Sequence, residues 1–222
     1  MTSIADKQGA MTEAIPGDET QRATAHLYQF PPTVDENGKK QPSEYREFTD
    51  EDAKKYPRRA DFKHRRSGTC GLIINERNEL LLANRLGSHG AGTWAPPGGK
   101  MELEEGDDLC VVREIKEETG LTVEHVGLLG VTYDNFVTAE KGPTNWNTFW
   151  VLTKMVNTKA EPEIAEPDKC SEMKWFSVQE LRDMMNDPER KEQLFLCLQN
   201  FLTKFPDWYE QCLERLGINP AK

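Results

Sequence analysis

The stretch from Gly99 to Leu121, GKMELEEGDDLCVVREIKEETGL, decides how this chain is read. Its second half has helical period. Leu109, Val111, Val112 and Ile115 fall on one side of a helix expected over residues 107–119 and closed by Gly120. At 100° per residue, Glu114, Glu117 and Glu118 share an arc of about 100° on the other side, and Glu105 adds a fourth carboxylate just before the first turn. Like charges at these spacings cost a few tenths of a kcal/mol per pair on an exposed helix, and more when partly buried. Arg113 can pair with Glu117 one turn on, but a single guanidinium cannot neutralise the group. A hard divalent ion best supplies the missing charge, because an all-oxygen carboxylate site suits Mg²⁺ or Mn²⁺.

A solvated acidic face is the ordinary reading of an isolated Glu-rich helix, but the residues upstream argue against it. Trp94-Ala95-Pro96-Pro97-Gly98-Gly99-Lys100 places adjacent glycines behind two prolines, so the backbone can approach closely and turn sharply. Such a loop can present backbone carbonyls to a metal and Lys100 to a phosphate. Further upstream, residues 69–75 and 79–85 are apolar, β-rich runs around a turn at Asn75-Glu76-Arg77-Asn78, and read as a β-hairpin. Downstream, strands are expected near 122–133, 148–156 and 173–176, and helices near 178–185 and 190–205. Strands interleaved with helices, without regular βαβ spacing, point to an α+β domain with a layered α/β/α arrangement.

The rest of the 222 residues bounds the function. With 38 acidic against 28 basic residues and a formal net charge of −10, the bulk surface repels duplex nucleic acid and anionic lipid. No run reaches the roughly 18 apolar residues that span a bilayer, and the first residues lack a signal-peptide core, so the expected location is cytoplasmic, with the nucleus as a second address. The five cysteines, scattered and without C-x-x-C spacing, read as reduced thiols. The mean hydropathy of −0.73 is low for a globule. Residues 1–60 explain it, holding only eleven large apolar side chains without period. We expect residues 1–64 to be an extension, largely disordered or loosely docked, with Leu27, Tyr28 and Phe30 as one short strand. Residues 65–205 are expected to form the catalytic domain, and 206–222 a last helix or tail. The basic cluster Lys54, Lys55, Arg58, Arg59, Lys63, Arg65 and Arg66 reads as a nuclear address, a phosphate-facing patch or, most commonly, a solvated linker.

Gly99, Glu105 and Arg113-Glu114-Ile115-Lys116-Glu117-Glu118-Thr119-Gly120-Leu121 together reproduce the complete box of the Nudix hydrolases, and the chain resembles that family over roughly residues 66–205. A lone Arg-Glu-x-x-Glu-Glu is weak, whereas the full spacing is specific. The resemblance implies a Nudix fold, a mixed sheet sandwiched between helices. It implies Glu114 and Glu118 as principal metal ligands, Glu117 as a further ligand or base, the Gly98 carbonyl completing the shell, and Arg113 orienting the glutamates. Glu105 is then a supporting group, Gly99 and Gly120 permit the turns, and Gly99 faces substrate. Two further stretches, residues 81–94 and 166–175, are similar to MutT-type nucleoside triphosphate diphosphatases. They imply Mg²⁺-dependent hydrolysis (Mn²⁺ substituting) of a nucleoside triphosphate, including oxidised or modified ones, to monophosphate and pyrophosphate. Arg85, and Lys100 after it, would bind phosphate. Ala95-Pro96 replaces the Gln-Leu pair usual in that branch, which opens the base preference. Phe195 and Leu198, and Trp146, Phe149 and Trp150, are candidates to face the base, although helix- or strand-spaced apolar residues are more often core. A homodimer is implied by resemblance alone. The rival readings are hydrolysis of another diphosphate compound (dinucleoside polyphosphate, diphosphoinositol, ADP-ribose or prenyl diphosphate) and a Nudix-fold binding module without turnover.

Overall fold

The apolar runs become strands that divide between two sheets. The computed structural model describes residues 27–40, 44–56, 65–87, 90–138 and 142–218. Among these, the strands are β1 (Leu27–Gln29), β2 (Tyr45–Glu47), β3 (Arg66–Ile73), β4 (Glu79–Arg85), β5 (Trp94–Ala95), β6 (Val123–Thr138), β7 (Gly142–Met155) and β8 (Cys170–Ser177). The helices are α1 (Asp50–Lys55), α2 (Asp107–Thr119), α3 (Val178–Asn186), α4 (Pro188–Lys191), α5 (Leu196–Lys204) and α6 (Trp208–Leu216). One sheet is mixed, in the order β2-β1-β6-β7-β3, and the other is antiparallel, in the order β5-β4-β8. The expected α+β class with a layered α/β/α arrangement is the architecture found.

Side-chain alternation along β3 and β7 explains the layers. Leu72 and Leu152 face one way, into a cluster with Trp150, Leu198 and Phe201 beneath α5 and α6. Their neighbours Ile73 and Val151 face the other way, against Val111 and Ile115 of α2. Burying Ile115 and Val151 completely is worth about 1.5–3 kcal/mol each, which fixes α2 on the sheet despite its acidic outer face. Among the described residues no helix is long and apolar enough to cross a membrane. All five cysteines are free and buried, as the reduced-thiol reading expects.

Three local expectations are corrected. The hairpin between β3 and β4 closes at its turn, where Asn75 N–H donates to the Glu79 carbonyl at 3.1 Å. Beyond the turn the two strands part, because β3 pairs in parallel with β7 and β4 pairs with β8. The helix expected over 190–205 is interrupted. Trp94 N–H donates to the Gln193 carbonyl and Phe195 N–H to the Trp94 carbonyl, so this segment serves as strand partner before α5 begins. On α2 the buried residues are Cys110, Val111, Ile115 and Thr119, while Leu109 is 61% exposed. At 100° per residue Leu109 lies about 160° round the helix from Val111 and about 120° from Ile115, the residues that face the sheet, so it points away from that contact.

The N-terminal segment has structure of its own. β1 lies beside β6 in parallel register, Gln29 opposite Phe136, and β2 pairs with β1. Arg46 Nη2 donates to Asp52 Oδ1 at 2.7 Å and covers the buried Phe30 ring at 3.8 Å. Thr49 and Asp52 form a capping box on α1. Of the basic cluster, Arg58, Arg59 and Lys63 lie outside the described residues. Arg65 stands over Tyr133 and Arg66 over Trp146.

Candidate active site

The loop before α2 is held against the open edge of β3. Gly71 N–H donates to the Pro97 carbonyl and Thr69 N–H to the Gly99 carbonyl, both at 2.8 Å. The chain can pass this close only as glycine. Gly98 has φ +154°, and a Cβ there would fall 2.1 Å from the Thr69 carbonyl oxygen. A Cβ on Gly99 would collide with the Glu114 carboxylate. At the other end of α2, Gly120 takes the left-handed conformation at φ 69° and closes the helix. Its carbonyls are then capped from the β7–β8 loop, since Glu163 N–H donates to the Thr119 carbonyl and Ala165 N–H to the Glu118 carbonyl.

Within this frame the four glutamates are not equivalent. Arg113 grips Glu105 with two parallel bonds, Nε to Oε1 and Nη2 to Oε2, each 2.8 Å. Its Nη1 donates to Glu114 at 2.8 Å and to Glu117 at 3.1 Å. The Arg113 guanidinium holds the Glu105 carboxyl down to about 2 against the cost of its burial. Glu114 is pushed above the ordinary range, because burial outweighs its bond to Arg113. Glu117 is half in solvent, its side chain 52% exposed.

Glu118 is the odd member. Arg113 does not reach it, and its carboxylate accepts from Gly98 N–H at 2.9 Å. Burial raises it to about 7, opposed by the Gly98 bond and raised further by the charge of Glu114. The sequence thus places Glu105, Arg113, Glu114 and Glu117 in one knot, with Glu118 on the far side against Gly98. Arg85, half-buried at the end of β4, lies close enough to lower Glu118. Lys100 is exposed at the rim, and its carbonyl accepts from Arg113 Nη2 at 3.3 Å.

The donor set fits a divalent cation by its chemistry. Two carboxylates are disfavoured as anions by burial; Glu117 raises Glu114 further and Glu114 and Glu166 raise Glu118, against the lowering charges of Arg113 and Lys169 on the first and of Arg85 on the second. As they stand, no three acidic, histidine or cysteine side chains among the described residues converge on one point, because Arg113 fills the space between Glu105, Glu114 and Glu117.

Sequence reasoning left two charged residues here without a role. Glu166, in the β7–β8 loop, raises Glu118, and Lys169 donates to Glu166 at 2.7 Å. Nearly fifty positions separate Glu118 from Glu166, so no local spacing reports their meeting; the signal was the charged Glu166-Pro167-Asp168-Lys169 turn. Among the candidates to face a base, Leu198 and Trp150 are fully buried and Phe195 is 6% exposed. Trp150 stacks on Phe201 at 4.2 Å and is core. Phe149 packs on the α2 side, and Trp146 stays half-buried beside Gly68.

Comparison with known proteins identifies the family. The NUDIX domain model matches residues 64–197. The 8-oxo-dGTP diphosphatase of Escherichia coli K12 is 35% identical over 85 residues, covering 38% of this chain and 63% of its own length. That of Proteus vulgaris is 37% identical over 68 residues, covering 30% and 61%. The chain therefore matches less than two thirds of the length of these curated relatives. The crystal structure of the MutT protein from Methanosarcina mazei superposes with a TM-score of 0.50 at 26% identity, covering 66% of this chain and 96% of that one.

Proposed function

This chain belongs to the NUDIX domain family, and from that premise we propose that it hydrolyses a nucleoside triphosphate, ordinary or oxidised, to the monophosphate and pyrophosphate in a Mg²⁺-dependent reaction. The observation that carries the reading is Glu118, a carboxylate that burial holds near neutrality beside the Gly98 amide, with no cationic partner of its own in the Arg113 knot. A structural role gives no reason to bury a carboxylate on one backbone amide beside two further acidic groups, Glu114 and Glu166. The two 8-oxo-dGTP diphosphatases support a nucleotide substrate.

Glu114 and Glu118 would hold the cation, with the Gly98 carbonyl completing its shell and Glu117 serving either as a further ligand or as the base. Bound there, Mg²⁺ would screen phosphate charge and lower the pKa of water. The chain's own residues set the rest. Arg113 fixes Glu105 and orients Glu114. In the role of base, Glu117, the carboxylate most open to solvent of those on Arg113, would accept a proton from the attacking water. Arg85 offsets charge on the leaving phosphate, and Lys100 at the rim meets the outermost one. Residues 65–205 carry these groups.

The test is pyrophosphate and phosphate release from a panel of ordinary and oxidised nucleoside triphosphates, dinucleoside polyphosphates, ADP-ribose and prenyl diphosphates, with Mg²⁺ and with EDTA. Pyrophosphate release from nucleoside triphosphates that EDTA abolishes is the expected result. Turnover confined to another diphosphate class overturns the substrate, and a folded protein with no turnover on any of them overturns the reaction.

A further inference from the structure

Arg85 does not stand alone at the end of β4. Its guanidinium carbon lies 4.4 Å from the centre of the Phe195 ring, within range of a strong cation–π contact. Phe195 in turn stacks on Phe136 with centroids 5.3 Å apart and planes 9° from parallel. Each ring is fixed from outside the stack. Phe195 N–H donates to the Trp94 carbonyl at 2.9 Å, which ties it to the strand leading into Pro96-Pro97-Gly98. A Cβ on Gly90 would fall 2.4 Å from the ring, so the Gly90 backbone lies directly against it. Phe136 sits in β6 opposite Gln29 of β1. A cation, two rings and the N-terminal strand therefore form one continuous row from the carboxylate site to a segment outside the residues matched by the family model.

We propose that Phe195 is a positioning residue, which through the Phe136–Phe195–Arg85 row aims the Arg85 guanidinium at the substrate's phosphates, with β1 as the buttress behind Phe136. This rests on the reading of the site as a diphosphatase. Arginine has several rotatable bonds, and beside a buried carboxylate it would otherwise fold toward Glu118. A flat ring beneath the guanidinium stabilises one direction without competing for its hydrogen-bond donors. The burial of Phe195 also explains why it does not serve as a stacking platform for a base: its ring is already occupied by Phe136 and Arg85.

A double-mutant cycle on the best substrate tests this, because a merely structural role gives additive losses. Phe195→Leu is expected to lower kcat/KM by about 10-fold in the wild-type background and by less than about 2-fold in Arg85→Gln, as coupled neighbours do. Phe136→Leu, one ring further out, is expected to show the same pattern at about 3-fold, and it stands in if Phe195→Leu does not fold. Equal losses in both backgrounds overturn the proposal. A second readout is independent of turnover: with 4-fluorophenylalanine at position 195, titrated inorganic pyrophosphate is expected to move the ¹⁹F resonance in the Arg85 protein and not in Arg85→Gln. A resonance that pyrophosphate leaves in place, or moves equally in both, overturns the proposal even where the diphosphatase reading stands. If no substrate is turned over, the reading fails by itself, and the ¹⁹F titration alone decides the row.

Discussion

Glu105 and Glu118 belong to one sequence motif and lie at opposite electrostatic extremes. Glu105 is clasped by one edge of the Arg113 guanidinium through Nε and Nη2, accepts from Glu102 N–H at 2.9 Å, and is held down to about 2. Glu118 accepts from the Gly98 amide and feels the charge of Arg85, but burial and the charges of Glu114 and Glu166 prevail, and it rises to about 7. The difference shows that carboxylates in one box have separate tasks. One ties the loop to α2 through Arg113, and the other, raised by burial and by its acidic neighbours, is the group that the proposed function assigns to the cation.

The sharpest break of that comparison is Glu118→Gln. It keeps the shape, removes the unsatisfied charge, and is expected to lower turnover at least about 10²-fold while the fold survives. Retention of a tenth of wild-type rate would remove Glu118 from the mechanism. Arg113→Ala attacks the other side. It leaves Glu105 and Glu114 buried without their partner and is expected to cost about 1–3 kcal/mol in urea unfolding, with a smaller loss of activity than Glu118→Gln. If stability were unchanged, the knot would be ornamental. The smallest effects lie on the apolar side of α2. Ile115→Val is expected to cost about 0.5–1.5 kcal/mol and Leu109→Gln less than about 0.5 kcal/mol. Equal costs would mean that α2 buries the face the sequence periodicity suggested.

That last pair shows where sequence reading stopped. The limits of α2, its glycine cap and the apolar middles of the long strands were legible because hydrophobic period and capping are local, whereas β6 ends at Thr138 and β7 begins at Gly142, beyond the expected bounds, and β2 and β5 were not foreseen. The four glutamates and Arg113 were legible because their spacing is local too. Which glutamate the arginine would hold was not, since Arg113 reaches eight positions back to Glu105 as readily as four forward to Glu117. The parting of β3 and β4 into two sheets was hidden because a tight turn constrains only its ends, and the partners β7 and β8 are more than sixty positions away. Glu166 beside Glu118, the break before α5 and the Arg85–Phe195 contact are likewise long-range meetings that no spacing records. The N-terminal strand was visible only as a few apolar residues in a polar stretch.

The contrast between the two carboxylates predicts opposite pH dependence, with the sign fixed by which state binds the proton. Glu118, ordinarily near 4.5 and raised to about 7 in the fold, contributes stability that is fully present below pH 4.5 and lost as pH rises through 7. Glu105, lowered to about 2, contributes stability present above pH 4.5 and lost only as pH falls toward 2. The most direct test is therefore thermal unfolding in EDTA between pH 5 and 8, wild type against Glu118→Gln. The account predicts that wild-type Tm falls across this range relative to Glu118→Gln, by an amount corresponding to at most about 3 kcal/mol, and that Mg²⁺ added at pH 8 recovers it in the wild type alone. Parallel curves for the two proteins, unmoved by Mg²⁺, would contradict it.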